Sequence, residues 1–160
     1  MAFQFSEESR RKLADIKARY PDVEAAVIPA LHLGQAQNGW VSREVMDAVA
    51  AELGVAPTHV LSTATFYTMF HKKPVGRFHL QVCTNVSCAL RGGYRLVDAI
   101  RERLHIDVGE TTPDQRFTLS EVECLAACGT APTLQVNDTY HEQLDLAKLH
   151  RLLDELEAAP

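Results

Sequence analysis

The four cysteines of the chain lie in two short-range pairs, Cys83-Thr84-Asn85-Val86-Ser87-Cys88 and Cys124-Leu125-Ala126-Ala127-Cys128. Four thiols carried by two separate stretches suit one tetrathiolate site. Burial as small hydrophobes would leave cysteines scattered, because Leu, Val or Ile fill a core without their reactivity. A disulfide framework needs an oxidising compartment, and Met1-Ala2-Phe3-Gln4-Phe5-Ser6 lacks the basic start and long apolar run of a secretory leader. A thioredoxin-type dithiol uses C-x-x-C spacing to lower the pKa of one thiol, whereas these pairs enclose four and three residues. Structural zinc tolerates roughly two to four intervening residues and stays the main rival. Two irons bridged by sulfide each need two thiolates held some distance apart, so the wider loops favour an iron-sulfur cluster over zinc.

The 160-residue chain is long enough for one good core, or a medium core with a smaller helical partner. Its composition, 46% apolar and 23% charged, is that of a globular protein. No apolar run approaches the ~18 residues that span a bilayer, so no direct membrane insertion is expected and any membrane association comes through a partner. A net charge of -5 and the lack of a basic stripe exclude a nucleic-acid surface. Residues 1–76 balance eight basic against eight acidic side chains, while 77–160 carry eight against thirteen. The acidic excess thus falls in the half that holds the cysteines. A cluster with four thiolates adds negative charge there, and a low reduction potential is the expectation.

The elements that position the thiols follow from caps and periodicity. Ser6 caps a helix over 7–19 that Tyr20-Pro21 ends. A second helical pattern runs from about Val23 to Gln37, with Pro29 kinking it or marking its first turn. Ser42 caps a third helix with Val45, Val49 and Leu53 on its core face, and Pro57 opens a fourth reaching about Ala64. Residues 1–72 therefore read as a helical bundle. Thr65-Phe66-Tyr67-Thr68-Met69-Phe70 is the most aromatic stretch, explained either by core packing or by a surface for a partner.

Residues 73–160 read as a second domain. Past the polar boundary His71 to Gly76 the period changes to two: Phe78, Leu80 and Val82 alternate with His79 and Gln81 in a half-buried strand that delivers Cys83. Gly92-Gly93 leads into a helix with Tyr94, Val97, Ile100 and Leu104 on one face, placing the first pair in a strand-to-helix loop, where ligand sites collect. A strand over Phe117 to Glu123 delivers Cys124, a hairpin turns at Asn137-Asp138, and Asp145 caps a last helix lined by Leu149, Leu152, Leu153 and Leu156. Strand, helix, strand, hairpin, helix is the order of a thioredoxin-like domain. The fold class is thus α+β: a helical bundle, then a four-stranded mixed sheet flanked by helices. Ala131-Pro132 is a candidate cis peptide, against the trans base rate. The histidines read as solvated or hydrogen-bonded, His79 on the polar face of its strand. No G-x-G-x-x-G, P-loop, Ser/His/Asp order or carboxylate pair stands out, so no catalytic residue or nucleotide site is assigned.

With these residues in view, the chain resembles the family of small 2Fe-2S subunits found in the NADH-oxidising module of respiratory complex I, the NADH-quinone oxidoreductase. The most specific matches are Asn38-Gly39-Trp40-Val41-Ser42, Ala64 to Phe70, Lys73-Pro74-Val75-Gly76, both cysteine pairs, Glu121 to Leu125, and Ala131-Pro132 with Gln135-Val136-Asn137-Asp138. The resemblance implies that Cys83, Cys88, Cys124 and Cys128 ligate one 2Fe-2S cluster. It implies a one-electron carrier with no independent catalysis, exchanging electrons with the FMN of a larger flavoprotein subunit that binds FMN and NADH. It also implies further peripheral-arm iron-sulfur subunits as partners and a place on the cytoplasmic side of the inner membrane. Equivalent diaphorase subunits of NAD-linked hydrogenases and formate dehydrogenases are the alternative. Three positions depart from the family pattern: Ala126 and Gln115 stand where Gly is common, and Ala89 where an aromatic often follows Cys88. A positive φ at position 126 would cost alanine roughly 1 kcal/mol.

Overall fold

Capping and burial account for the first half of the computed structural model, which describes residues 3–160. Helix α1 (Glu7–Arg19) starts where the Ser6 side chain accepts the Ser9 N–H, and buries Leu13. Val23–Ala26 forms a separate 3-10 turn, and α2 (Val27–Asn38) follows it. Pro29 sits in the first turn of α2, where its missing N–H costs nothing, so the expected continuous helix is two elements. The Ser42 side chain accepts the Val45 N–H to open α3 (Arg43–Leu53). Helix α4 (Pro57–Phe66) has proline at its first position and runs two residues past the expected end. Val27, Leu31, Val45, Val49, Leu53, Val60 and Phe70 share one core.

The segment after α4 is pinned by one side chain. Gln35 donates from Nε2 to the Met69 carbonyl at 3.1 Å and accepts the His71 N–H through Oε1 at 2.8 Å. Between those two bonds Phe70 is fully buried, its ring 4.9 Å from that of His32. Phe66 instead stands 78% exposed. The aromatic stretch is therefore divided between core and surface. This unit ends at Pro74, and a second compact unit runs from Val75 to Pro160.

In the second unit β1 (Phe78–Cys83) is followed by α5 (Val86–Leu90), α6 (Gly93–Leu104), β2 (Phe117–Val122), β3 (Leu134–Val136), β4 (Thr139–His141) and α7 (Leu146–Ala158). The sheet order is β2-β1-β3-β4, with β1 parallel to β2 and the other pairs antiparallel. Leu80, Val82, Leu119, Leu134 and Val136 meet Val97, Ile100, Leu149 and Leu153 of α6 and α7 in a single core. The α+β architecture and mixed sheet are those expected from the sequence.

One local expectation is narrowed and two are corrected. His79 takes the hydrogen-bonded of its two expected states: it is buried, with its Nε2 2.8 Å from the Ser120 Oγ of the neighbouring strand. Tyr94 is exposed, and Leu96 takes its place beside Val97 and Ile100 in the buried stripe of α6. Helix α5 occupies what read as loop between the cysteines of the first pair. The Ala131–Pro132 peptide is cis.

Candidate metal centre

Parallel neighbours β1 and β2 bring the two cysteine loops to one end of the sheet. Cys83, the last residue of β1, is in register with Val122, the last of β2. The Thr84 N–H donates to the Val122 carbonyl at 3.2 Å, tying the two loops together as they leave the sheet. The Asn85 side chain accepts the Val86 N–H at 2.6 Å and starts α5, whose middle residue is Cys88. Gly93 lets α6 close over this turn: a Cβ there would lie 2.7 Å from the Cys83 carbonyl oxygen and 3.0 Å from that of Cys88.

The second loop leaves β2 through Glu123 and Cys124. Leu125 turns inward and packs with Ala131, Cys83 and Cys88 in a small apolar cluster under the site. Ala126 has φ +57°, which points its N–H at the Cys124 sulfur, 3.2 Å away. Cys128 then opens a 3-10 turn, Cys128–Thr130, that leads to the cis proline.

All four thiols are free, Cys83 and Cys88 buried and Cys124 and Cys128 exposed. Burial pushes the Cys88 thiol up, and a hydrogen bond with Cys83 and the nearness of Cys128 act in the same direction, while the Thr133 N–H pulls it down. Cys83 of the first loop and Cys128 of the second thus both lie within electrostatic reach of Cys88. Cys124 is held by its own loop through Ala126. Among the described residues no group of three His, Cys, Asp or Glu side chains is drawn together as for a single ion.

The donor set fits a 2Fe-2S cluster. It offers four sulfurs from two loops, an N–H aimed at the sulfur of Cys124, and apolar backing that limits water around the buried pair. N–H donors favour the thiolate that a metal requires, and a bound metal supplies the positive charge that offsets the burial of Cys88. With its four thiolates taken up by a metal, the set would hold no free proton carrier, and the chemistry it would support is electron exchange. Sequence reasoning missed the backbone donor Ala126, because hydrogen bonds from main-chain N–H groups leave no residue-type signature.

The thioredoxin-like 2Fe-2S ferredoxin family model matches residues 13–157. A subunit of the NADH-quinone oxidoreductase of Rhizobium meliloti (strain 1021) is 49% identical over 150 residues, covering 94% of this chain and 89% of that protein. The mitochondrial NADH dehydrogenase (ubiquinone) flavoprotein 2 of Dictyostelium discoideum is 45% identical over 157 residues, covering 96% of this chain and 64% of that protein. In fold, the crystal structure of an NAD+-reducing NiFe-hydrogenase in the air-oxidized state matches 82% of this chain and 23% of its own, with a TM-score of 0.72 at 21% identity. The chain belongs to the thioredoxin-like 2Fe-2S ferredoxin family, whose members carry one 2Fe-2S cluster.

Proposed function

We propose that this chain is the one-electron-transfer subunit of an NADH:quinone oxidoreductase of the complex I type, with Cys83, Cys88, Cys124 and Cys128 as ligands of one 2Fe-2S cluster. The observation that carries the reading is the convergence of two loops bearing four free thiols at the ends of β1 and β2, in a chain 49% identical to an NADH-quinone oxidoreductase subunit. When bound, the cluster takes up and releases single electrons. The chain's own residues fix the sulfurs, keep water from Cys83 and Cys88, and direct the Ala126 N–H dipole at the Cys124 sulfur.

Its partner in this reading is the FMN- and NADH-binding flavoprotein subunit, whose two-electron flavin needs a one-electron exchange partner. Further iron-sulfur subunits complete the peripheral arm, on the cytoplasmic side of the inner membrane. Among the described residues no helix is long and apolar enough to cross a membrane, so in this reading partner subunits hold the chain there. The hydrogenase likeness carries the fold alone at 21% identity, which leaves the complex I assignment ahead of the hydrogenase or formate dehydrogenase one.

Iron, zinc and acid-labile sulfide analysis of the anaerobically purified chain, with electron paramagnetic resonance after reduction, tests the proposal. Two irons, two sulfides and a rhombic signal are expected, lost on Cys→Ser substitution at any of the four positions. A colourless chain with one zinc would overturn it.

A further inference from the structure

Thr133 stands where the cysteine loops meet the sheet. The antiparallel register pairs Leu80 with Val136, Gln81 with Gln135 and Val82 with Leu134, so the next opposed pair is Cys83 and Thr133. The Cys83 N–H donates to the Thr133 carbonyl at 3.1 Å. Directly opposed residues place their side chains on the same sheet face, with Cβ atoms about 5 Å apart. Thr133 therefore shares a face with the Cys83 sulfur, while the adjacent pair, Val82 and Leu134, turns to the hydrophobic core. Its backbone N–H also acts to lower the pKa of the Cys88 thiol, against the effect of burial. Thr133 thus holds the backbone of Cys83 at the point where the first loop leaves the sheet.

The side chain is the unexplained part. Thr133 is 0% exposed, and its hydroxyl has no hydrogen-bond partner among the described residues. The other buried threonines behave differently. Thr118 Oγ1 accepts the Gly76 N–H and lies 2.8 Å from Thr111 Oγ1, and Thr112 Oγ1 donates to Asp114 and accepts the Phe117 N–H. A buried hydroxyl left unpaired is destabilising, whereas valine fills the same volume without a polar atom.

The geometry points to the Thr133 hydroxyl as a hydrogen-bond donor to a sulfur of the bound cluster on the Cys83 side, an inference that rests on the four-cysteine cluster reading. The added electron increases negative charge on the cluster sulfurs. A donor aimed at them stabilises the reduced form more than the oxidised one and so raises the reduction potential. Thr133 then sets the potential without ligating iron.

The test compares the full chain, loaded with its cluster, as wild type, Thr133→Val and Thr133→Ser. Redox titration should show an about tenfold smaller one-electron reduction constant in Thr133→Val, about 59 mV more negative, with Thr133→Ser close to wild type. Resonance Raman gives a second readout: part of the deuterium-oxide shift of the Fe–S stretching bands should vanish in Thr133→Val and survive in Thr133→Ser. If Thr133→Val fails to take up iron, Thr133→Ala is read the same way. A loaded hydroxyl-free variant with wild-type potential and wild-type deuterium shift overturns the inference alone. A wild-type chain without two irons and two sulfides overturns the cluster reading, and this inference with it.

Discussion

The Ala126 N–H donates to the Cys124 sulfur across 3.2 Å, from a residue held at φ +57°. Alanine in the left-handed region is strained by its Cβ, by about 1–2 kcal/mol. Glycine removes that strain but gives the unfolded chain more freedom, which offsets part of the gain. Ala126→Gly is expected to stabilise the chain by about 0.5–1 kcal/mol with the N–H to sulfur bond and the visible spectrum kept. Urea denaturation followed by circular dichroism and visible absorption checks both; a destabilised variant would show that the loop tolerates this φ at no cost.

Gly93 is needed for a different reason, close approach. Its missing Cβ would press on the carbonyl oxygens of Cys83 and Cys88 at 2.7 and 3.0 Å, and both contacts are to backbone. Gly93→Ala must move the end of β1 and the turn of α5 apart, at an expected cost of about 1–3 kcal/mol and with less iron bound per chain. Gly129→Ala is the control, since no heavy atom lies within 4 Å of its added Cβ, and it should fall within about 0.5 kcal/mol of wild type. Iron content and denaturation midpoints measured side by side decide the matter, and two variants that behave alike contradict it.

What the residues disclosed depended on the range of the interaction that decides each feature. Ser6, Ser42 and Asp145 each cap a helix through a bond to a residue three positions on, so their helices were legible from spacing alone. Helix α5 has five residues, too few for a period to register, although Asn85 before it is a cap signal. The stripe of α6 was misread by a step because Tyr94 is apolar enough to count with Val97, and only packing decides between Tyr94 and Leu96. His79 alternates like a surface residue, and the Ser120 hydroxyl that pairs with it lies on the neighbouring strand, outside the reach of a local pattern. The φ values of +60° at Gln115 and +57° at Ala126 are invisible to residue type and became suspect only through the family resemblance. At the site, the four cysteines announce themselves by spacing, whereas Thr133 owes its position to the β1–β3 register.

Burial holds the His71 imidazole below its ordinary pKa, and the Lys72 charge adds to the effect. Burial lowers His141 as well, with Glu155 opposing. The unfolded chain therefore takes up these protons before the folded one. Stability is full above the unfolded histidine pKa of about 6.5 and falls as pH drops below it toward the lower folded value. Replacing His71 with Gln keeps the backbone bonds to Val41 and Gln35 and removes one of these protons. The loss of stability between roughly pH 7 and pH 5 should be smaller in His71→Gln than in wild type. Urea midpoints across that range measure it, and parallel curves for the two proteins would rule out a contribution from His71.

Phe66 and Phe70 separate surface from core within one short stretch. Phe66 packs edge-on against Tyr67 at 5.0 Å between ring centroids and is otherwise open, whereas Phe70 is closed in by His32 and by Tyr67 at 6.5 Å. An aromatic side chain this exposed adds little to the fold, yet is the type that dominates binding when a partner covers it. If this patch receives the flavoprotein subunit, Phe66→Ser should change stability by less than about 0.5 kcal/mol. It should weaken the complex by about 2 kcal/mol, roughly thirtyfold in Kd. Phe70→Ala should do the reverse, costing about 3–5 kcal/mol of folding stability because it empties a buried site. Titration of the flavoprotein subunit with each purified variant, beside thermal unfolding of the variant alone, separates the two effects, and unchanged affinity in Phe66→Ser would move the docking surface elsewhere on the chain.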